Sequence, residues 1–167
     1  MAFSYICNMG RPFNKKAYDS FDSKNKKELV NMMTAKGYAL VGSIETEHFK
    51  KYDVKFTKDG QEISFENETR LNFVTIRDVY ETIHIPIRKE NTQADYYIVW
   101  KPELDEFFMI DKAVIEKYKK EVVTILCNES HVDDSYIDSF IDIPKKEAVL
   151  YHKKGNKWKI KNKHQQG

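Results

Sequence analysis

Three carboxylates, Asp53, Glu66 and Glu68, stand on either side of an Asp59-Gly60 dipeptide in the stretch YDVKFTKDGQEISFENETR, residues 52 to 70. Asp-Gly between runs of alternating apolar and polar residues predicts a hairpin with a two-residue loop. With Asp59 and Gly60 as that loop, Lys58 faces Gln61, Phe56 faces Ile63, Val54 faces Phe65, and Asp53 falls opposite Glu66. Side chains alternate along a strand, so Tyr52, Val54, Phe56, Ile63 and Phe65 form an apolar face turned to a core. The other face carries Asp53, Lys55, Glu62, Ser64, Glu66 and Glu68. Opposed residues of that kind lie about 4.5 to 5.5 Å apart at Cβ. Two carboxylates at that range repel, and they need either full solvation or a divalent cation that takes hard oxygen ligands, Mg²⁺ or Mn²⁺.

On these residues the chain resembles the PD-(D/E)XK nuclease superfamily, the fold of many restriction enzymes and Holliday-junction resolvases, over roughly residues 23 to 115. In that family an Asp opens one strand, and the strand after the turn carries an acid, any residue, then usually Lys. Asp53, Glu66 and Glu68 occupy the three places, with Glu where Lys is usual; a Glu-x-Glu variant also occurs among the restriction enzymes. Tyr52 stands where the motif has Pro. Downstream, TIHIPIRK (Thr82 to Lys89) and ADYYIVW (Ala94 to Trp100) look like the later core strands of phage and restriction members. The resemblance implies an α/β, restriction endonuclease-like core, a mixed central sheet flanked by helices. It also implies Asp53, Glu66 and Glu68 as catalytic residues, and Asp53 and Glu66 as ligands of Mg²⁺ or Mn²⁺. The substrate is expected to be DNA rather than RNA, and a homodimer is compatible with cutting both strands.

Further residues are candidates for support of that site. Glu28 loosely matches a first-helix Glu that some family members add to the metal shell, or it is an exposed Glu in a Lys-rich turn. In the connector ETEHFKK, Glu47 or His48 could supply a ligand or a general base, a lone connector His being more often solvent-exposed. Lys55 and Arg70 compete for the cationic role of the family's Lys, and Lys55 could equally offset the charge of Asp53. Arg88 and Lys89, just after Pro86, could reach a phosphate or stay solvated.

The elements that must position these groups can be placed from local signals. Ser23 as a cap, the spacing of Leu29, Val30, Met32 and Met33, and Gly37 predict a helix over 24–36. Tyr38 to Ile44 predicts a strand that feeds the hairpin. Between Arg70 and Asn91 periodicity does not separate helix from strand: Phe73, Ile76, Val79, Tyr80 and Ile83 fit one, Thr82 to Ile87 the other. The resemblance implies a helix or crossover there, then a buried strand at Ala94 to Trp100. Glu106 to Ile110 predicts a strand, Asp111 a helix cap with the helix running to Lys120, and Val122 to Cys127 a short buried strand. NESHVDDSYIDSFIDIP is expected to be partly helical, with His131, Asp133 and Asp134 an unsupported metal cluster. Ala148–His152 and Lys157–Lys161 flank a Lys154-Gly155-Asn156 turn. We take 1–127 as the nuclease-like domain and 128–167 as a C-terminal extension with a basic tail, packed on the same domain.

With 167 residues, 41% hydrophobic and 32% charged, the chain is ordinary globular material for one domain rather than disordered sequence. No apolar run reaches the roughly 18 residues of a membrane span. With no secretory pattern at the start, a cytoplasmic protein without membrane contact is expected. Cys7 and Cys127 make no disulfide framework or thiolate zinc site. Net charge is only +2, yet residues 145 to 167 hold eight Lys against Glu147. Such an end suits nucleic acid or mere solubility. Two functions follow: a metal-dependent endonuclease, or, given Glu68 in place of Lys, a catalytically inactive nuclease-fold protein acting as a nucleic-acid or protein-binding module. A third reading leaves the charged face simply solvated.

Overall fold

The structure, a computed structural model, describes residues 23–42, 53–87, 93–128 and 135–161. Its described elements are α1 (Ser23–Ala35), β1 (Ala39–Leu40), β2 (Val54–Lys58), β3 (Gln61–Thr69), α2 (Phe73–Asp78), β4 (Thr82–Pro86), β5 (Tyr96–Trp100), β6 (Glu106–Asp111), α3 (Lys112–Tyr118), β7 (Val122–Asn128), β8 (Ser135–Pro144), β9 (Val149–Lys154) and β10 (Lys157–Ile160). Seven strands form a mixed sheet in the order β1-β2-β3-β5-β6-β9-β10, and three more form a small sheet in the order β4-β8-β7.

The turn chemistry acts where the sequence places it. Asp59 (φ 52°) and Gly60 (φ 79°) both take the positive φ that a tight primed turn needs, and β2 and β3 pair with Phe56 opposite Ile63 and Val54 opposite Phe65. The same device recurs at Gly155 (φ 62°) between β9 and β10. α1 forms over Ser23–Ala35 and buries Leu29 and Met33, one helical turn apart, against Val54, Phe56, Phe65, Trp100 and Phe107. Asn25, fully buried, donates from Nδ2 to Thr69 Oγ1 at 2.9 Å, which ties the helix to the far end of β3.

The ambiguous stretch after Arg70 holds both elements. Phe73 to Asp78 is a helix of six residues that buries Phe73 and Ile76, and Thr82 to Pro86 is a strand of the small sheet. Together they carry the chain from the end of β3 back to the start of β5, which then runs parallel to β3 with Glu66 beside Tyr97 and Glu68 beside Val99. Parallel neighbours require such a crossover. β6 returns antiparallel, and Asp111 caps α3 by accepting the Ala113 N–H at 2.8 Å.

Several expectations need correction. The segment expected to be partly helical contains a ten-residue strand, β8, which pairs with both β4 and β7; residues 129–134, with His131, Asp133 and Asp134, lie outside the described residues. β7 is the edge strand of the small sheet, with Val122 and Thr124 exposed and Val123 packed against the core. Among the described residues, α1 covers one face of the central sheet. The other face packs Tyr97, Val99, Phe108 and Ile110 against Ile83, Ile85, Phe140, Ile141 and Ile143 of the small sheet, together with Phe73 and Ile76 of α2 and Ile115 of α3. As for the C-terminal segment, expected to pack on the same domain, β8 lies in the small sheet and β9 and β10 in the large one. No helix among the described residues is long and apolar enough to cross a membrane.

Candidate functional site

β3 presents two faces with different tasks. Phe65 and Asn67 point to the α1 side, where Asn67 Oδ1 accepts the Trp100 indole N–H at 2.9 Å. Ser64, Glu66, Glu68 and Arg70 point to the side of the small sheet. There Glu66 is 5% exposed and Arg70 3% exposed, so the acidic face is closed over at Glu66, while Glu68 stays partly exposed and Glu62 open to solvent. This removes the simple solvated reading for Glu66, because a carboxylate in such a place must be compensated by the protein or by a ligand.

Glu68 is held from two directions. Arg70 grips it with both arms of its guanidinium, Nε to Oε1 at 2.6 Å and Nη2 to Oε2 at 3.0 Å. The Tyr97 hydroxyl, from the neighbouring parallel strand, donates to the same Oε2. Burial, first, and the nearby Glu68 carboxylate, second, push the Tyr97 phenol well above its ordinary pKa, so it stays protonated as a donor. Arg70 Nη2 also donates to the backbone oxygen of His84 at 2.7 Å, which fastens the end of β3 to β4. His84 in turn lies 3.0 Å from Asp142 through Nε2 and stacks on Phe140. Burial pulls its pKa below the usual imidazole value, with Asp142 opposing.

Asp53 lies just outside the ladder. Its N–H donates to the Phe65 carbonyl at 2.9 Å, although Phe65 already faces Val54, and its carboxylate accepts the Asn67 N–H at 2.7 Å. The regular pairing therefore ends at Val54, and Asp53 sits against the backbone between Glu66 and Glu68 instead of in a plain cross-strand pair with Glu66. Asp53 thus meets the second half of β3, at the residue between Glu66 and Glu68. Among the described residues, however, no three His, Cys, Asp or Glu side chains converge as a ready-made metal cluster.

The supporting residues separate. Lys55 shares the acidic face and pairs with Glu62 at 3.2 Å. Glu28 is on α1 and pairs with Lys153 at 2.9 Å, on the side of the sheet away from Glu66. Arg70 is the cation beside the acids. Glu47, His48, Arg88 and Lys89 lie outside the described residues. Sequence reasoning missed Tyr97 and His84; Tyr97 was hidden inside an apolar strand, and only its parallel register with Glu66 discloses it. No family model matches the chain, and no curated protein matches it either.

Proposed function

We propose that the protein is a metal-dependent endonuclease that hydrolyses nucleic-acid phosphodiester bonds, DNA in preference to RNA. The observation that carries this reading is the placement of Asp53 against Asn67, between Glu66 and Glu68, on a hairpin strand that a crossover then pairs with a parallel neighbour. A helix, three antiparallel strands, a crossover and a parallel strand is the order that the PD-(D/E)XK resemblance implies, and it supports the restriction endonuclease-like reading. Mg²⁺ typically takes only one or two carboxylates and fills its shell with water and substrate phosphate, so Asp53 and Glu66 fit it without a third protein ligand. Bound there, Mg²⁺ or Mn²⁺ would supply a water of lowered pKa and charge neutralisation at the phosphate. Glu68 is pinned beside that position in the place of the family's usual Lys, and Arg70, two residues on, brings a positive charge for the role that Lys fills. Cutting both strands would call for a second copy of the chain.

One observation favours a second reading, a catalytically inactive protein of the same fold that binds nucleic acid or protein: both oxygens of Glu68 are already engaged by Arg70 and Tyr97. Nuclease assays with Mg²⁺ and Mn²⁺ over supercoiled, linear and branched DNA and over RNA separate the two. For an active enzyme, Asp53→Ala and Glu66→Ala abolish cleavage, whereas Glu68→Gln retains metal binding and slows the chemical step. A wild type that cuts nothing, together with a Glu68→Lys variant that gains cleavage, would overturn the enzyme and leave the binding module.

A further inference from the structure

Across the sheet from the acids, a groove of about 480 Å³ runs between the last turn of α1 and the β9–β10 hairpin. Glu28, Met32, Lys36, Lys153, Lys157 and Trp158 line it, with the amides of Asn31 and Asn156. The volume falls within the about 300–1,000 Å³ typical of sites for small organic groups. Its charges are unequal. Glu28 is satisfied by Lys153 at 2.9 Å, whereas Lys36 and Lys157 are in no ion pair among the described residues. The hairpin around it adds Lys154, Lys159 and Lys161, and no acid occurs from 148 to 161. Trp158 is partly exposed, and it is held in place by Trp100 at 5.8 Å and Phe107 at 4.9 Å between ring centroids.

We infer that this groove binds single-stranded nucleic acid, with one base against Trp158 and flanking phosphates on Lys36 and Lys157. A rigid indole, with Lys153 Nζ over its ring at 5.9 Å from the centroid, beside two ammonium groups in no ion pair among the described residues matches the alternation of flat base and anionic phosphate, and every base has a face to stack. A duplex hides those faces within its own stack. An acidic peptide would satisfy the lysines but would leave the indole and the two amides unused. The inference rests on the proposal that the chain acts on nucleic acid. It adds an anchoring surface separate from the acids, since Trp158 packs with the α1-side core and Glu66 and Glu68 face the small sheet.

The test uses the full chain in EDTA, where binding is read without cleavage, and a fluorescein-labelled oligothymidylate as the probe. Wild type binds with a fall in Trp emission, which the comparison with Trp158→Phe assigns to Trp158, since Trp100 is fully buried but in ring contact with it. The Lys36→Glu/Lys157→Glu double variant, changed only at the surface, weakens binding at least about tenfold, and the slope of log affinity against log salt shrinks by about 1.4, about 0.7 per lost phosphate contact on a single strand. Trp158→Phe keeps an aromatic in place, so it abolishes the emission change while retaining most of the affinity. Unchanged affinity and slope in the double variant overturn the groove. So does poly-glutamate that displaces the oligonucleotide at equal affinity through the same lysines, which would mark an acidic protein as the partner. Mg²⁺-dependent cleavage with unaltered binding in the variants removes the groove and leaves the nuclease. Groove binding without cleavage does the reverse.

Discussion

Arg70 and Glu68, two residues apart on one strand face, form a two-pronged ion pair whose guanidinium also reaches the His84 carbonyl, so one side chain joins the acidic strand to the small sheet. Lys cannot make all three bonds, because it is a point donor on a flexible stem. Arg70→Lys is therefore expected to lose about 1–3 kcal/mol of stability through the partly unsatisfied Glu68 and His84 oxygens. Urea unfolding checks this, and a loss below about 0.5 kcal/mol, the range of ordinary surface changes, would show that the bridge is not needed.

Tyr97→Phe removes the second donor to Glu68 and keeps the ring in the core. Glu68 is partly exposed and keeps both Arg70 bonds, so the expected cost is about 0.5–1.5 kcal/mol, the net range for one hydrogen bond. In an active enzyme the same change slows turnover while leaving oligonucleotide binding unaltered, because it loosens Glu68 and touches no phosphate contact. A matching spectroscopic sign is the wild-type phenol itself: its absorbance change on ionisation lies at higher pH than that of exposed tyrosines, and it disappears from the titration of Tyr97→Phe.

Glu106 is 6% exposed and draws together Arg77 from α2 at 2.6 Å, Lys161 after β10 at 3.5 Å and Lys101 at 3.8 Å. Neutralising it leaves the partly buried Arg77 without its closest inner carboxylate, so Glu106→Gln is expected to destabilise by about 1–3 kcal/mol. Glu103→Gln, at an exposed position in the turn just before β6, serves as the control and should stay within about 0.5 kcal/mol. Equal effects of the two would remove any special role for Glu106.

His84 links stability to pH. Its folded pKa is depressed, mainly by burial, so the unfolded chain takes up the proton more readily. The neutral imidazole's contribution is complete above the ordinary value of about 6.5 and declines as pH falls below it toward the folded pKa. Thermal melts at pH 7.5 and 5.5 should show a drop in the midpoint for wild type that is smaller in His84→Gln, which cannot titrate. An identical drop in both would assign the acid loss to carboxylates elsewhere.

Much of the frame was legible because its signals are local. Asp59-Gly60 and Gly155 supply the positive φ of two hairpin turns, strict alternation through Val54, Phe56, Ile63 and Phe65 leaves only one register that buries them together, and Leu29 and Met33 mark the inner face of α1. The β8 segment failed for the opposite reason. Phe140, Ile141 and Ile143 do not by themselves distinguish a helix turn from a strand; pairing decides, with β7 on one side and Thr82–Pro86, more than 50 residues earlier, on the other.

The sequence by itself determined that Glu66 and Glu68 share one strand face across a hairpin from Asp53, since a period of two and a two-residue turn leave little freedom. Tertiary structure alone decided what surrounds them. The parallel crossover brings the Tyr97 hydroxyl to Glu68, the small sheet offers the His84 carbonyl to Arg70 and shuts Glu66 off from solvent, and Asp53 leaves the ladder to take the Asn67 N–H. Most of these contacts join residues far apart in the chain, and they form only when the layers pack, because the burial of a carboxylate is set by what covers its face and not by its neighbours in sequence.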